Sequence, residues 1–353
     1  MIISAKELAR RLNISAATVS MVLNNKPGIS EKTRQTVLEA AREFGYEPPR
    51  KQEESPSKGT IQFVIYKKHG AVVTDTPFFS QVTEGIDAGC KEAGYELQIF
   101  YFYETQEAAA QLDALREKNC QGILLLGTEM TTGYFSQFLQ LQLPIVVLDT
   151  YFEELNCDSV LINNVQGAYL ATDYLISNGL TKTGYLRSSF PIGNFQERAD
   201  GYYKALRHHQ LSTSHPYVHR LTPSMEGAYQ DMRELLEKGT ETAEAYFADN
   251  DLIAAGAMRA FHEKGFRIPE DISIIGFDDM PICDFLEPGL TTMNVPKQRL
   301  GRLAVERLVA KLARDSETPV KIEISPRLHI RHSVKTSDNG PTKTQIEIGR
   351  GAG

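Results

Sequence analysis

The stretch AKELARRLNISAATVSMVLN, residues 5–24, carries one pattern twice. Residues 5–12 (AKELARRL) and 16–24 (AATVSMVLN) each place apolar side chains at helical spacing, and a short polar turn separates them. A third run of the same kind, EKTRQTVLEAAREF, spans 31–44. Ser15 and Ser30 stand where N-caps belong, and Gly45 stands where the third helix should end. The expectation is three short helices around one small core.

Beyond this unit the pattern changes. PPRKQEESPSKG, at 48–59, is rich in Pro, Ser and charge and reads as a linker. From residue 60, β-rich runs alternate with amphipathic ones: TIQFVIY, FFSQVTEGIDAGCKEAG, YELQIFYF, QEAAAQLDALREK, GILLL and PIVVLD. A comparable series resumes with KTGYL, ERADGYYKALRHH, EAYFA, DLIAAGAMRAFHEKG and ISIIGFD. Repeated βαβ units predict an α/β body of two doubly wound parallel sheets, with a ligand between the lobes. The expected division is 1–47 headpiece, 48–59 linker, 60–335 two-lobed body and 336–353 polar tail, the last loosely attached.

The 353 residues are 41% hydrophobic and 24% charged, an ordinary soluble composition. No apolar run approaches the roughly 18 residues of a membrane span, and MIISAKELARR does not read as an export signal, so a cytoplasmic protein is expected. Cys90, Cys120, Cys157 and Cys283 are too scattered for a metal knuckle or a disulfide framework and read as reduced thiols. The net charge of -7 is uneven: residues 1–50 hold eight Lys/Arg against five Asp/Glu, or +3, leaving -10 for residues 51–353. Affinity for phosphates belongs to the first segment.

AKELARRLNISAATVSMVLN followed by ISEKTRQTVLEAAREFGYEP resembles the helix-turn-helix headpiece of the lactose-repressor family, and the similarity continues through nearly the whole body. The resemblance implies a repressor of carbohydrate-utilisation genes, a homodimer whose two headpieces read a near-palindromic double-stranded operator under control of a sugar-like effector. It assigns base contacts to Ala16, Ala17 and Met21, at the start of the second helix, and phosphate contacts to Ser4, Thr18, Ser20, Asn24 and Thr33. All three base-facing residues are apolar, so the guanine contact made by an arginine in many relatives is missing and thymine methyls become the natural targets. Capping competes with phosphate contact for Ser4 and Asn24. In the linker, Ser55 replaces the leucine that relatives wedge into the minor groove, and Pro49, Glu53, Glu54 and Pro56 disfavour a hinge helix.

The resemblance also implies a periplasmic-binding-protein-like body with an effector crevice lined by Asp75, Phe78, Phe79, Asp149, Arg198, Asn250 and Asp278. One of Phe78 and Phe79 is expected in the core and the other in the cleft. Competing structural roles are a helix cap for Asp251, a solvated position for Asp279, and pairing of Arg198 with Glu197 or Asp200. His215 and His219 share helical spacing across Pro216 in an extended stretch, an accident of spacing; of His208 and His209, on a charged helix, at least one should face water. No metal, no cofactor and no catalytic apparatus is expected, and the tail lacks the leucine heptad of tetrameric relatives. The rival readings are an exported sugar receptor, which has no use for a helix-turn-helix, and a glycoside or phosphate-ester hydrolase built on Asp278 and Asp279.

Overall fold

The computed structural model describes residues 5–23, 28–44, 46, 57–70, 72–73, 77–214, 217–313 and 318–336. The expectations for Ser4, Asn24, Gly45, the hinge around Ser55, Asp75, His215 and the tail beyond residue 336 therefore lie outside the described residues. The chain divides between Ser57 and Lys58 into two compact units.

In the first unit, α1 (Ala5–Leu12), α2 (Ala16–Leu23) and α3 (Glu31–Glu43) enclose Leu8, Ala9, Val19, Val22, Val37, Ala40 and Ala41. The third helix ends one residue short of expectation. Asn13 makes the turn between α1 and α2 in the left-handed region (φ 55°), a conformation that asparagine tolerates better than most residues, and the amide of Ile14 closes it on Ala9 O at 3.1 Å. Ser15 Oγ accepts the amide of Thr18 at 3.0 Å, and Ser30 Oγ that of Thr33 at 3.2 Å, so both predicted caps are formed.

The second unit holds two six-stranded sheets. In the first, β1 (Thr60–Lys67), β2 (Glu96–Tyr103), β3 (Gly122–Leu126), β4 (Ile145–Leu148), β5 (Asp158–Ile162) and β11 (Lys321–Ile324) lie parallel in the order β11-β5-β4-β3-β1-β2. In the second, β6 (Thr183–Ser188), β7 (Val218–Leu221), β8 (Ala245–Ala248), β9 (Ser273–Asp278), β10 (Thr291–Asn294) and β12 (Arg327–His329) follow the order β12-β10-β9-β8-β6-β7, antiparallel only at β12. Runs such as GILLL and IVVL are buried along their whole length because helices cover both faces of a parallel sheet.

The lobes are not successive halves of the chain, and this corrects the simplest reading of the two βα series. After β5 the chain enters the second lobe through α7 (Asn164–Ser177), which packs on α8 (Gly193–His208). After β10 it returns through α11 (Lys297–Ala313), adds β11 to the first sheet, and crosses back to form β12. Asp158, fully buried at the start of β5, binds this returning segment. It meets Arg307 at 2.6 Å and Lys311 at 2.5 Å and accepts the amide of Val320 at 3.1 Å.

Three helix pairs pack closely, and each crosses at glycine. Where α4 (Pro77–Ala93) meets α11, a Cβ on Gly85 would lie 2.1 Å from Gln298 O and one on Gly301 2.2 Å from Val82 O. At α7–α8 a Cβ on Gly201 would lie 2.3 Å from Val165 O, and between α9 (Met225–Glu237) and α10 (Asp251–Glu263) one on Gly256 would lie 2.3 Å from Met225 O. No residue larger than glycine lets these backbones approach so closely.

Candidate functional site

Two surfaces hold the candidate residues, one on each unit. On the first, Ala16, Ala17 and Ser20 are exposed at the start and along the outer face of α2, while Thr18, Met21 and Thr33 are half-buried. The two threonines have local partners: Thr18 Oγ1 lies 2.8 Å from Ser15 Oγ and Thr33 Oγ1 lies 2.7 Å from Ser30 Oγ. Either hydroxyl of each pair can be the donor, so a threonine that accepts from its serine keeps its own proton for a phosphate. Ser15→Ala removes the α2 cap and should cost about 1 kcal/mol, so that the α2 amides exchange with deuterium roughly fivefold faster.

On the second unit a cavity of about 110 Å³ opens between the lobes. Phe78, Phe79, Thr128 and Asp149 face it from the first lobe, and Asn194, Phe195, Arg198, Asn250 and Asp278 from the second. Six of the seven candidate effector residues thus converge, the seventh being Asp75. Phe78 is the more buried of the two ring neighbours, and both reach the cavity, packed edge to face at 5.0 Å.

Arg198 is the centre of the second lobe's contribution. Its Nε donates to Asn164 Oδ1 at 2.9 Å, Nη1 donates to the carbonyl of Asp249, and Nη2 donates to Asp278 Oδ1 at 3.2 Å. The guanidinium also lies over the Phe277 ring at 3.7 Å and is 3% exposed. The competing expectation, pairing with Glu197 or Asp200, is not what is found. Glu197 accepts instead from Asn164 Nδ2 at 2.8 Å, and Asp200 accepts from Gln196 at 3.3 Å.

The other carboxylates separate into two groups. Asp149, just past β4 with φ 64°, accepts from Thr128 Oγ1 at 2.7 Å; its Oδ1 is buried without a protein partner among the described residues and borders the cavity. Burial pushes its pKa up to about 7, against the opposing pull of the Thr128 hydrogen bond and Arg198. Burial likewise raises Asp278, opposed by Arg198 and Lys297. Asp251 is not the cap of α10; Asn250 is, its Oδ1 accepting the amide of Ile253 at 2.9 Å. Asp251 instead lies wholly inside, accepting from Met280 N at 2.7 Å and Thr292 Oγ1 at 2.5 Å. Asp279 is not solvated: it faces Asn294 at 2.6 Å, His329 at 2.9 Å and Arg331 at 2.8 Å.

Sequence reasoning missed Glu129. Its buried carboxylate accepts five amides, from Lys68, His69, Gly70, Val72 and Val73, at 2.9–3.1 Å. Those bonds fix the loop whose Val72 borders the cavity. The His69 ring, 3.2 Å from Glu129, also meets Phe190 of the other lobe at 4.8 Å between centroids. A single glutamate in GTEMTT carries no spacing signal that could have revealed this.

Comparison with known proteins follows the same division. Residues 4–49 match the model of bacterial regulatory proteins of the lacI family, and residues 172–334 match the periplasmic binding protein-like domain. The chain is 32% identical over 332 residues to the ribose operon repressor of Haemophilus influenzae, covering 93% of this chain and 98% of that protein. The chain belongs to the lacI family. A second lacI-family relative, the HTH-type transcriptional repressor PurR of Mannheimia succiniciproducens, is 32% identical over 337 residues, covering 94% of this chain and 98% of PurR. Among solved structures, a lacI-family regulator from Enterococcus faecium with bound ribose superposes with a TM-score of 0.67 at 26% identity, covering 79% of this chain and all of that one. Like its relatives, this lacI-family chain couples a DNA-binding headpiece to an effector-binding body. No helix among its described residues is long and apolar enough to cross a membrane.

Proposed function

We propose that this lacI-family protein is a cytoplasmic, dimeric repressor whose operator binding is controlled by a small neutral polyol, with a pentose as the best fit. The observation that carries the effector class is the pairing of Arg198 with Asp278 inside the protein. Each of its three nitrogens donates one hydrogen bond within the protein and its charge is paired with Asp278 at 3.2 Å, so Arg198 does not stand as a free cation ready to neutralise an anionic ligand. What the cavity offers a ligand is the acceptor Oδ1 of Asp149, the carboxylate of Asp278, the amide of Asn250 and aromatic faces at Phe79 and Phe195. Hydroxyls above and apolar C–H faces between rings suit that lining. The volume, about 110 Å³, is far below the roughly 300–1,000 Å³ of sites for larger ligands. The ribose-bound neighbour and the ribose operon repressor support a sugar of this size.

The DNA-facing assignment rests on Ala16, Ala17 and Met21 for bases and Ser4, Thr18, Ser20, Asn24 and Thr33 for phosphates. The headpiece reads methyl groups by apolar contact, and phosphates supply most of the affinity. Hydrolysis is disfavoured by the two adjacent aspartates, since Asp278 meets Arg198 while Asp279 faces Asn294, His329 and Arg331. They do not converge on one bond. The deciding experiment is a mobility-shift titration of the full chain on its own upstream region. Ribose at millimolar concentration should change operator affinity, and raising salt from 50 to 200 mM should weaken binding steeply, by about a hundredfold or more. An operator complex indifferent to every neutral monosaccharide yet responsive to a purine or a phosphorylated sugar would overturn the effector assignment.

The pH dependence follows from Asp149. A ligand hydroxyl donating to Oδ1 favours the ionised carboxylate, so binding draws the pKa down from about 7 and releases a proton. Effector affinity should therefore rise between about pH 6 and pH 8. Calorimetry in two buffers of different ionisation heat reads the proton release directly, and Asp149→Asn should flatten the profile.

A further inference from the structure

We propose that Asp173, His208 and His209 form a zinc site that clasps the far ends of α7 and α8. One oxygen or nitrogen from each of the three side chains can be chosen so that all lie within 4.8 Å of one another. Asp173 Oδ1 is already 2.7 Å from His209 Nε2. The His208 and His209 rings stand at 89° with centroids 5.2 Å apart, so two imidazoles approach the carboxylate from different directions instead of stacking. His209 and Asp173 are about one-quarter to one-third exposed and His208 is exposed, so an ion can enter without opening the fold.

The donor set selects the ion. Two neutral imidazoles and one carboxylate, with a fourth position open to water, suit Zn²⁺; hard cations such as Mg²⁺ and Ca²⁺ prefer an all-oxygen shell. Surroundings give the ligands fixed places. Asp173 is held on α7, which packs along α8, and the Tyr169 ring lies against His208 at 5.9 Å. A simple surface ion pair accounts for Asp173 with His209; it gives no reason for a His208 nitrogen to lie within 4.8 Å of both.

The position gives the site a consequence. At the other end of the same helix pair, Asn164 of α7 binds Arg198 of α8 at 2.9 Å. The two points are separated by about 15 Å along each helix. Zinc would therefore pin one end of the helix pair whose other end holds Arg198, and stabilise the second lobe by mass action. This inference does not depend on the identity of the effector.

The test uses untagged full-length protein titrated calorimetrically with zinc chloride. One ion should bind per chain and raise the melting temperature, with binding weakening at acid pH as protons compete for the imidazoles. Asp173→Asn and His208→Gln should each weaken binding at least about tenfold, because a lost ligand costs no less than a lost outer partner. His262→Gln, an exposed histidine elsewhere, should leave binding unchanged. Cobalt should give a visible spectrum without a thiolate charge-transfer band, which distinguishes this site from Cys157, the partly exposed thiol. Absence of stoichiometric binding at micromolar zinc, equal affinity in wild type and both ligand variants, or a thiolate band would overturn the proposal.

Discussion

Arg198→Ala should lower effector affinity at least about a hundredfold and destabilise the body by about 3–5 kcal/mol. Both effects have one origin. The guanidinium compensates Asp278 directly and holds Asn164 and the Asp249 carbonyl, all inside a region where an unpaired carboxylate is expensive. Without it Asp278 takes up a proton, and the cavity wall loses the plane that lies over Phe277. Arg198→Lys should recover part of the stability and little of the affinity, since an ammonium cannot bridge three acceptors set by a planar fork. Urea denaturation gives the first quantity and calorimetric titration the second. Equal effector dissociation constants in wild type and Arg198→Ala would show that the ligand does not depend on this wall.

Gly301→Ala should be nearly as damaging, although it adds only one methyl group at a residue that lines neither candidate surface. Its Cβ would fall 2.2 Å from Val82 O and 2.8 Å from Ile86 N, both backbone atoms of α4, so no side chain can swing aside. The helices must separate, at a cost of about 3 kcal/mol or more, while the same change at Gly133, which has nothing within 4 Å, should cost less than about 1 kcal/mol. Thermal melts of the two variants make the comparison. A Gly301→Ala protein as stable as Gly133→Ala would mean that α4 and α11 are not locked at this crossing.

Much of the architecture was legible because it rests on local pattern. Three amphipathic runs with Ser15 and Ser30 before two of them gave the headpiece, and alternating βα runs gave two sheets. Asn250 and Asp278 were legible as cleft residues because they stand at strand ends, where such sheets present ligands, and Arg198 only through the family resemblance, three residues before a helical glycine. Their partners were not. Whether Asn250 or Asp251 caps α10, or which carboxylate Arg198 meets, is settled by residues dozens of positions away, such as Thr292 and Asp278. Glu129 was illegible for the same reason, as its five partners lie more than 50 residues upstream. The lobe crossings escaped because β11 and β12 are short, half-exposed strands whose pairing is wholly non-local.

Those crossings set the order in which the protein can come into being. On the ribosome the first sheet starts with residue 60, but its edge is completed only when β11 emerges, after the whole second lobe apart from β12 has been made. Folding from the N-terminus, the usual course for successive domains, therefore serves the headpiece and stops there. The early strands must wait beside an unfinished partner, with the face that α11 will cover still open. Every candidate effector residue precedes Lys297, so a chain released before that point would carry all of them and still lack a finished first lobe on which a ligand could close.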